Sequence, residues 1–152
     1  MNRLRLIRER LAGLAGRLTG GAARTLARRF GDRGERLAAR HLRRAGLKII
    51  ARGWQGRSGE IDLIAREGAT VVFVEVKTRR GTYGGRPEHA VDARKRRAIL
   101  RLANEWAADY ARRGGDRAAL AIRFDIVAIL WPDGGEPEIR HIRGAFDAGG
   151  VR

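Results

Sequence analysis

Four residues, Glu60, Asp62, Glu75 and Lys77, have the types and spacing to hold a hard cation beside a positively charged amine. They sit in GEIDLIAREGATVVFVEVK, residues 59–77, which alternates with period two on either side of Gly68-Ala69. Glycine at the first position of a two-residue loop is what a type II′ hairpin turn requires. That loop pairs Glu67 with Thr70, and counting outward sets Asp62 opposite Glu75 and Glu60 opposite Lys77. Three carboxylates and one amine then share a face, while Ile61, Leu63, Ala65, Val72, Val74 and Val76 make the other face apolar. A slip of one residue scatters both sets, so the apolar face argues for this register. Acids facing each other across a strand pair repel by an amount comparable with the ~0.2–1 kcal/mol gained from a good cross-strand pair. A divalent cation bound through carboxylate oxygens would offset that repulsion, whereas without one an acid's pKa should rise. The competing reading is a solvated polar face with a Glu60–Lys77 surface pair, which is common and contributes little. Val71 and Phe73 on the same face weigh against it, because they need cover and so leave the charges in a cleft.

The elements around this hairpin must supply that cover. A helix is expected from about Asp32 to Ala45, with Glu35, Ala38, Leu42 and Ala45 on one face. An acid that begins an apolar stripe needs a reason. Asp32-x-x-Glu35 resembles a capping box at a helix start, and the alternative is that Glu35 faces the carboxylate cluster and joins the metal site as a ligand beside Asp62 and Glu75. The local pattern taken alone favours the cap. Gly46 closes the helix, and residues 47–54 read as a first strand leading into the hairpin. After Lys77 comes TRRGTYGGRPE, residues 78–88. Such a loop could hold a phosphodiester backbone through Arg79, Arg80 and Arg86 and stack a base on Tyr83, or be an ordinary surface loop. A long helix from about Glu88 to Arg112 turns Val91, Ala98, Leu102 and Trp106 inward. Lys95 shares that stripe and either reaches solvent or reaches a phosphate at the site. Residues 119–130 form a strand expected to pair parallel with the Glu75 strand, since a long helix joins the two. On it, Asp125 is read as the structural partner of an arginine. A last strand is expected over 136–142, and a loose tail from Gly144.

At 152 residues the chain is most simply one domain with an appendage. It has no cysteine, which excludes disulfides and thiolate zinc sites, and its three histidines show no metal-ligand spacing. No apolar run approaches a membrane span, so stable membrane insertion is not expected. The net charge of +16 points to a polyanionic partner, and it is carried by thirty arginines against three lysines. A chain that uses arginine wherever charge suffices has kept lysine at 48, 77 and 95. Lys77 is the one whose compact ammonium best suits a reactive site. Residues 1–30 hold eight arginines and one acid, with Leu4, Ile7, Leu11, Leu14 and Leu18 at helical spacing. They read as a basic amphipathic helix broken at Gly20-Gly21, either a mobile arm or a packed accessory helix.

Glu35 on a helix followed by Asp62 and Glu75-x-Lys77 on a hairpin resembles the PD-(D/E)xK nuclease superfamily. More closely, the chain resembles the YraN family of endonuclease-like bacterial proteins, similar in fold to archaeal Holliday-junction resolvases. The matching pieces are Gly31-x-x-Gly34-Glu35, GEIDLI at 59–64, VFVEVKTR at 72–79, Ala90-Val91 with Lys95, Arg123-Phe124-Asp125 and Ala145-Phe146. They occur in the family's order over residues 31–147, outside which lie an N-terminal extension, 1–30, and a tail, 148–152. The resemblance implies a restriction-endonuclease-like α/β/α fold around a mixed sheet of four or five strands. It also implies that Asp62 and Glu75 bind Mg²⁺ or Mn²⁺, that Glu35 is an additional acid of the site, and that Lys77 orients or activates the attacking water.

The function so implied is metal-dependent hydrolysis of DNA phosphodiesters, with branched and single-stranded DNA among the candidate substrates, in a bacterial cytoplasm. A homodimer is one assembly open to such a chain. The alternative is a nucleic-acid-binding module on a nuclease-like fold without catalysis, against which the acids count, since carboxylates oppose phosphate binding. A third reading attaches residues 1–30 to an anionic membrane surface.

Overall fold

The computed structural model describes the backbone of residues 3–81 and 91–147, and side chains from residue 21 onward. It comprises two compact units, Met1–Arg33 and Gly34–Arg152. Helix α1 covers Arg3–Arg44 without the break expected at Gly20-Gly21. Each interior glycine costs a helix about 1 kcal/mol relative to alanine, and the Leu-, Arg- and Ala-rich flanks offset it. Continuity overturns the cap reading of Asp32 and Glu35: both lie inside α1, where backbone N–H groups are already bonded within the helix. The helix ends as the sequence suggests. Gly46 takes φ +91°, and the N–H groups of Gly46 and Leu47 bond back to the carbonyls of Arg43 and Leu42, a Schellman closure.

Five strands follow: β1 (Lys48–Gly56), β2 (Gly59–Glu67), β3 (Thr70–Arg80), β4 (Ala121–Trp131) and β5 (Glu138–Phe146), with helix α2 (Ala93–Arg112) between β3 and β4. They form one sheet in sequence order, antiparallel except for the expected parallel β3–β4 pair. Its two faces carry separate cores. Leu63, Ala65, Val72, Val74, Val127 and Ile129 pack with Ala38, Ala39 and Leu42 of α1. Ile64, Phe73, Phe124 and Ile126 pack with Ile99, Leu102 and Trp106 of α2. A helical segment on each face of a mixed five-stranded sheet is the expected α/β/α layering.

The β2–β3 register is the one set by the turn, with Glu67 opposite Thr70 and Leu63 opposite Val74. Gly68 has φ +58° and Ala69 no positive φ, as a type II′ turn demands. The ladder stops at Leu63–Val74, one position short of Asp62 and Glu75. Beyond that point β2 departs from strict alternation: Ile61 joins the α2-side core instead of lying with Leu63 and Ala65. Glu60, expected opposite Lys77, sits near the β1–β2 turn, where it accepts a 2.6 Å hydrogen bond from Gln55.

The chain does not loosen at Gly144. Strand β5 continues to Phe146, whose ring stacks on Phe124 at 5.0 Å. An irregularity lies between the Phe124–Phe146 and Ile126–Ile142 pairs, where Gly144 at φ +58° donates its N–H to Asp125. Asp125 is buried and, as its sequence position suggested, pairs with Arg123, whose Nε lies 2.8 Å away; His141 Nε2 also lies 2.8 Å from it. Burial alone would raise its pKa, but hydrogen bonds from His141, Arg123 and the Gly144 N–H together bring it down to about 2. Arg123 and Arg143 also both reach Glu67, tying the β2–β3 turn to β4 and β5.

Candidate active site

The site forms where β2 and β3 part. Val76 has no β2 ladder partner there, and its N–H donates instead to the Asp62 carboxylate at 2.7 Å. One residue back, Glu75 lies on the α2 face and is only 4% exposed. Its two oxygens are each held by an ammonium: Lys77 Nζ is 2.8 Å from Oε1 and Lys95 Nζ is 3.0 Å from Oε2. A buried carboxylate is sustained only by such pairing.

Lys77 gets there by strand periodicity, two residues along the same face. Lys95 gets there through α2, whose first turn is fixed by Asp92. The Asp92 carboxylate caps the helix by accepting the Lys95 N–H at 2.7 Å. The helix therefore starts at Ala93, later than the sequence pattern suggested, and Lys95 falls in its first turn.

Glu35 comes from the other layer. Gly34 abuts Thr78 so closely that a Cβ at 34 would lie 1.9 Å from the Thr78 hydroxyl and 3.0 Å from its Cβ. Lacking a side chain, Gly34 brings α1 onto the end of β3 and Glu35 with it. The result appears at Asp62. Burial, then the negative charge of Glu75, push its pKa up to about 7; the Val76 N–H and Lys95 oppose the rise, and Glu35 adds to it.

Glu75, Lys77 and Lys95 are thus in direct contact, while Asp62 binds the neighbouring Val76 N–H and is joined electrostatically to Glu75, Lys95 and Glu35. Among the described residues no three Asp, Glu or His side chains converge into a ready metal cage. Arg79 and Arg80 are exposed, but they belong to the end of β3, opposite Leu130 and Trp131, and not to a loop. Tyr83 and Arg86 lie outside the described residues. Asp92 was not singled out from the sequence, although an aspartate immediately before a helical pattern is a start signal. The contact between Gly34 and Thr78 left no signal, since it joins segments forty-four positions apart.

The donor set suits a hard divalent cation. Mg²⁺ is ordinarily held by one or two carboxylates, with waters and substrate phosphates completing its shell, and not by an all-protein cage. Asp62 and Glu75 offer that number. The raised proton affinity of Asp62 marks a place where added positive charge is favourable.

A mixed five-stranded sheet between two helical layers is the restriction-endonuclease-like α/β/α architecture, and two acids and two lysines gather where its central hairpin opens. Residues 34–129 match the model of the uncharacterised protein family UPF0102. A UPF0102 protein of Rhodococcus jostii (strain RHA1) is 50% identical over 117 residues, 77% of this chain and 95% of its own. One of Nocardia farcinica (strain IFM 10152) is 47% identical over 131 residues, 82% and 99% of the two chains. One of Geotalea daltonii is 46% identical over 118 residues, 78% and 89%. The chain belongs to the UPF0102 family, the YraN group that its motifs resemble.

Proposed function

We propose that this protein is a Mg²⁺- or Mn²⁺-dependent nuclease that hydrolyses DNA phosphodiesters, acting in the cytoplasm. The observation that carries the reading is the pairing of a buried Glu75 with both Lys77 and Lys95, next to an Asp62 that accepts the Val76 N–H. A surface meant only to bind phosphate has no use for two acids held this way. A bound divalent ion would supply charge neutralisation at the scissile phosphate. Asp62 and Glu75 would hold it, with Glu35 adding negative charge behind them. Lys77 spends one of its three donors on Glu75 and keeps two to orient a water and to stabilise charge developing on phosphate oxygens. Lys95 holds the other Glu75 oxygen and fixes the carboxylate plane. Arg79 and Arg80 extend from the same strand end and would contact the substrate backbone. No helix among the described residues is long and apolar enough to cross a membrane.

The test is a cleavage screen over single-stranded, duplex, flap and four-way-junction DNA with Mg²⁺ or Mn²⁺. Cleavage of at least one substrate is expected, stopped by chelation and reduced about 10²–10³-fold or more by Lys77→Ala and by Glu75→Ala, with melting temperature retained. Wild-type cleavage no faster than either variant would refute the reading. DNA binding indifferent to Lys77→Ala, without cleavage, would identify a binding module instead.

A further inference from the structure

A groove of about 680 Å³ lies between the β1–β2 turn and the outer side of α2, lined by Trp54, Gly56, Arg57, Arg112, Arg113 and Arg117 among others. Gly56 lets the β1–β2 turn seat closely against α2 at one side of the groove. A Cβ there would come within 2.5 Å of Leu102, 2.6 Å of the Glu105 carboxylate and 2.9 Å of the Trp54 ring. The two acids of the groove are committed internally. Glu105 accepts the Arg57 backbone N–H at 2.7 Å, and Asp109 is held by Arg112 and Arg113 at 3.0 and 2.8 Å. Each guanidinium has five donors, so Arg112 and Arg113 keep most of theirs, and Arg117 spends one on Asn104.

Topology connects this groove to the acid–lysine site. Strand β2 runs antiparallel to β3, so the β1–β2 turn lies toward the Arg80 end of β3, in the direction in which the strand runs on from Glu75. Helix α2 links them, touching Glu75 through Lys95 and the turn through Glu105. Those ten residues of helix span about 15 Å. Arginines beside an aromatic ring, on the same helix as the site, match a single-stranded polynucleotide: guanidinium groups for successive phosphates and an indole for a base.

We propose that this groove binds a single-stranded segment of the substrate, with Arg57, Arg113 and Arg117 on its phosphates and Trp54 against a base. This deepens the nuclease reading and rests on it for the identity of the substrate. The test is binding of a fluorescent oligothymidylate to the full chain in EDTA, where cleavage cannot interfere. The Arg57→Ala/Arg117→Ala double variant is expected to lose about tenfold in affinity. Its slope of log affinity against log salt should be shallower by about 1, because fewer phosphates are neutralised. Quenching of tryptophan fluorescence by the oligomer should vanish in Trp54→Phe, a substitution that keeps the apolar contacts. An abasic oligomer should lose that quenching in the wild type as well. A double variant that binds with wild-type affinity and salt slope overturns the groove while leaving the nuclease reading intact, since that reading is decided by cleavage and by Lys77→Ala. Wild-type protein that does not bind the oligomer overturns the groove as well. Loss of binding in the double variant supports it even if no cleavage is found.

Discussion

Asp62 carries the sharpest residue-level consequence of the site. Its pKa of about 7 lies far above the ordinary 3.8, so between about pH 4 and 7 the folded chain holds a proton that the unfolded chain has released. Stability therefore falls as pH rises through that window, and the full cost is present above pH 7. Asp62→Asn removes the charge while its side-chain oxygen can still accept the Val76 N–H. In metal-free buffer it is expected to be more stable than wild type by about 1–3 kcal/mol above pH 7 and nearly equal near pH 4, by thermal unfolding. Added Mg²⁺ should raise the melting temperature of the wild type at pH 8 and not that of the variant. Equal melting of the two proteins across the whole range would remove the basis for a strained acid cluster.

Among the elements, α1 and β3 meet through the absence of a side chain. Gly34→Ala puts a methyl 1.9 Å from the Thr78 hydroxyl, so β3 or the helix must shift. The expected cost is about 1–3 kcal/mol, although alanine is the better helix former by about 1 kcal/mol. Gly21→Ala is the control: nothing lies within 4 Å of its added Cβ, and the change should stabilise slightly. Chemical denaturation of both variants reads the difference. If Gly34→Ala matched Gly21→Ala, close approach at Thr78 would not be what positions Glu35. The β2–β3 hairpin shows the complementary case, in which the turn and the alternation set the register by short-range rules alone.

For the whole molecule, both core clusters lie within Gly34–Arg152. A chain beginning at Gly31 loses eight arginines and one glutamate. It is expected to melt within a few degrees of the full chain and to cleave the same substrates, but to bind DNA more weakly with a shallower salt dependence. Binding titrations over a range of salt, with a parallel test on anionic vesicles, separate a polynucleotide role for residues 1–30 from a membrane one. Unchanged DNA binding would leave the vesicle result to decide.

By itself the sequence determined the hairpin, its register from Glu67–Thr70 to Leu63–Val74 and the parallel crossover, and it offered Asp62, Glu75 and Lys77 as candidate chemical residues. These depend on period-two alternation, turn chemistry and a scarce lysine, all readable within about twenty residues. Only the tertiary structure decided that the β2–β3 ladder ends before Asp62, that Lys95 shares Glu75 with Lys77, and that Glu35 belongs to a continuous helix and not to a cap. Each of those depends on where a distant element stops or how near it comes. That is set by excluded volume between Gly34 and Thr78, and by charge pairing between β3 and the first turn of α2, which leave no periodic trace in the chain.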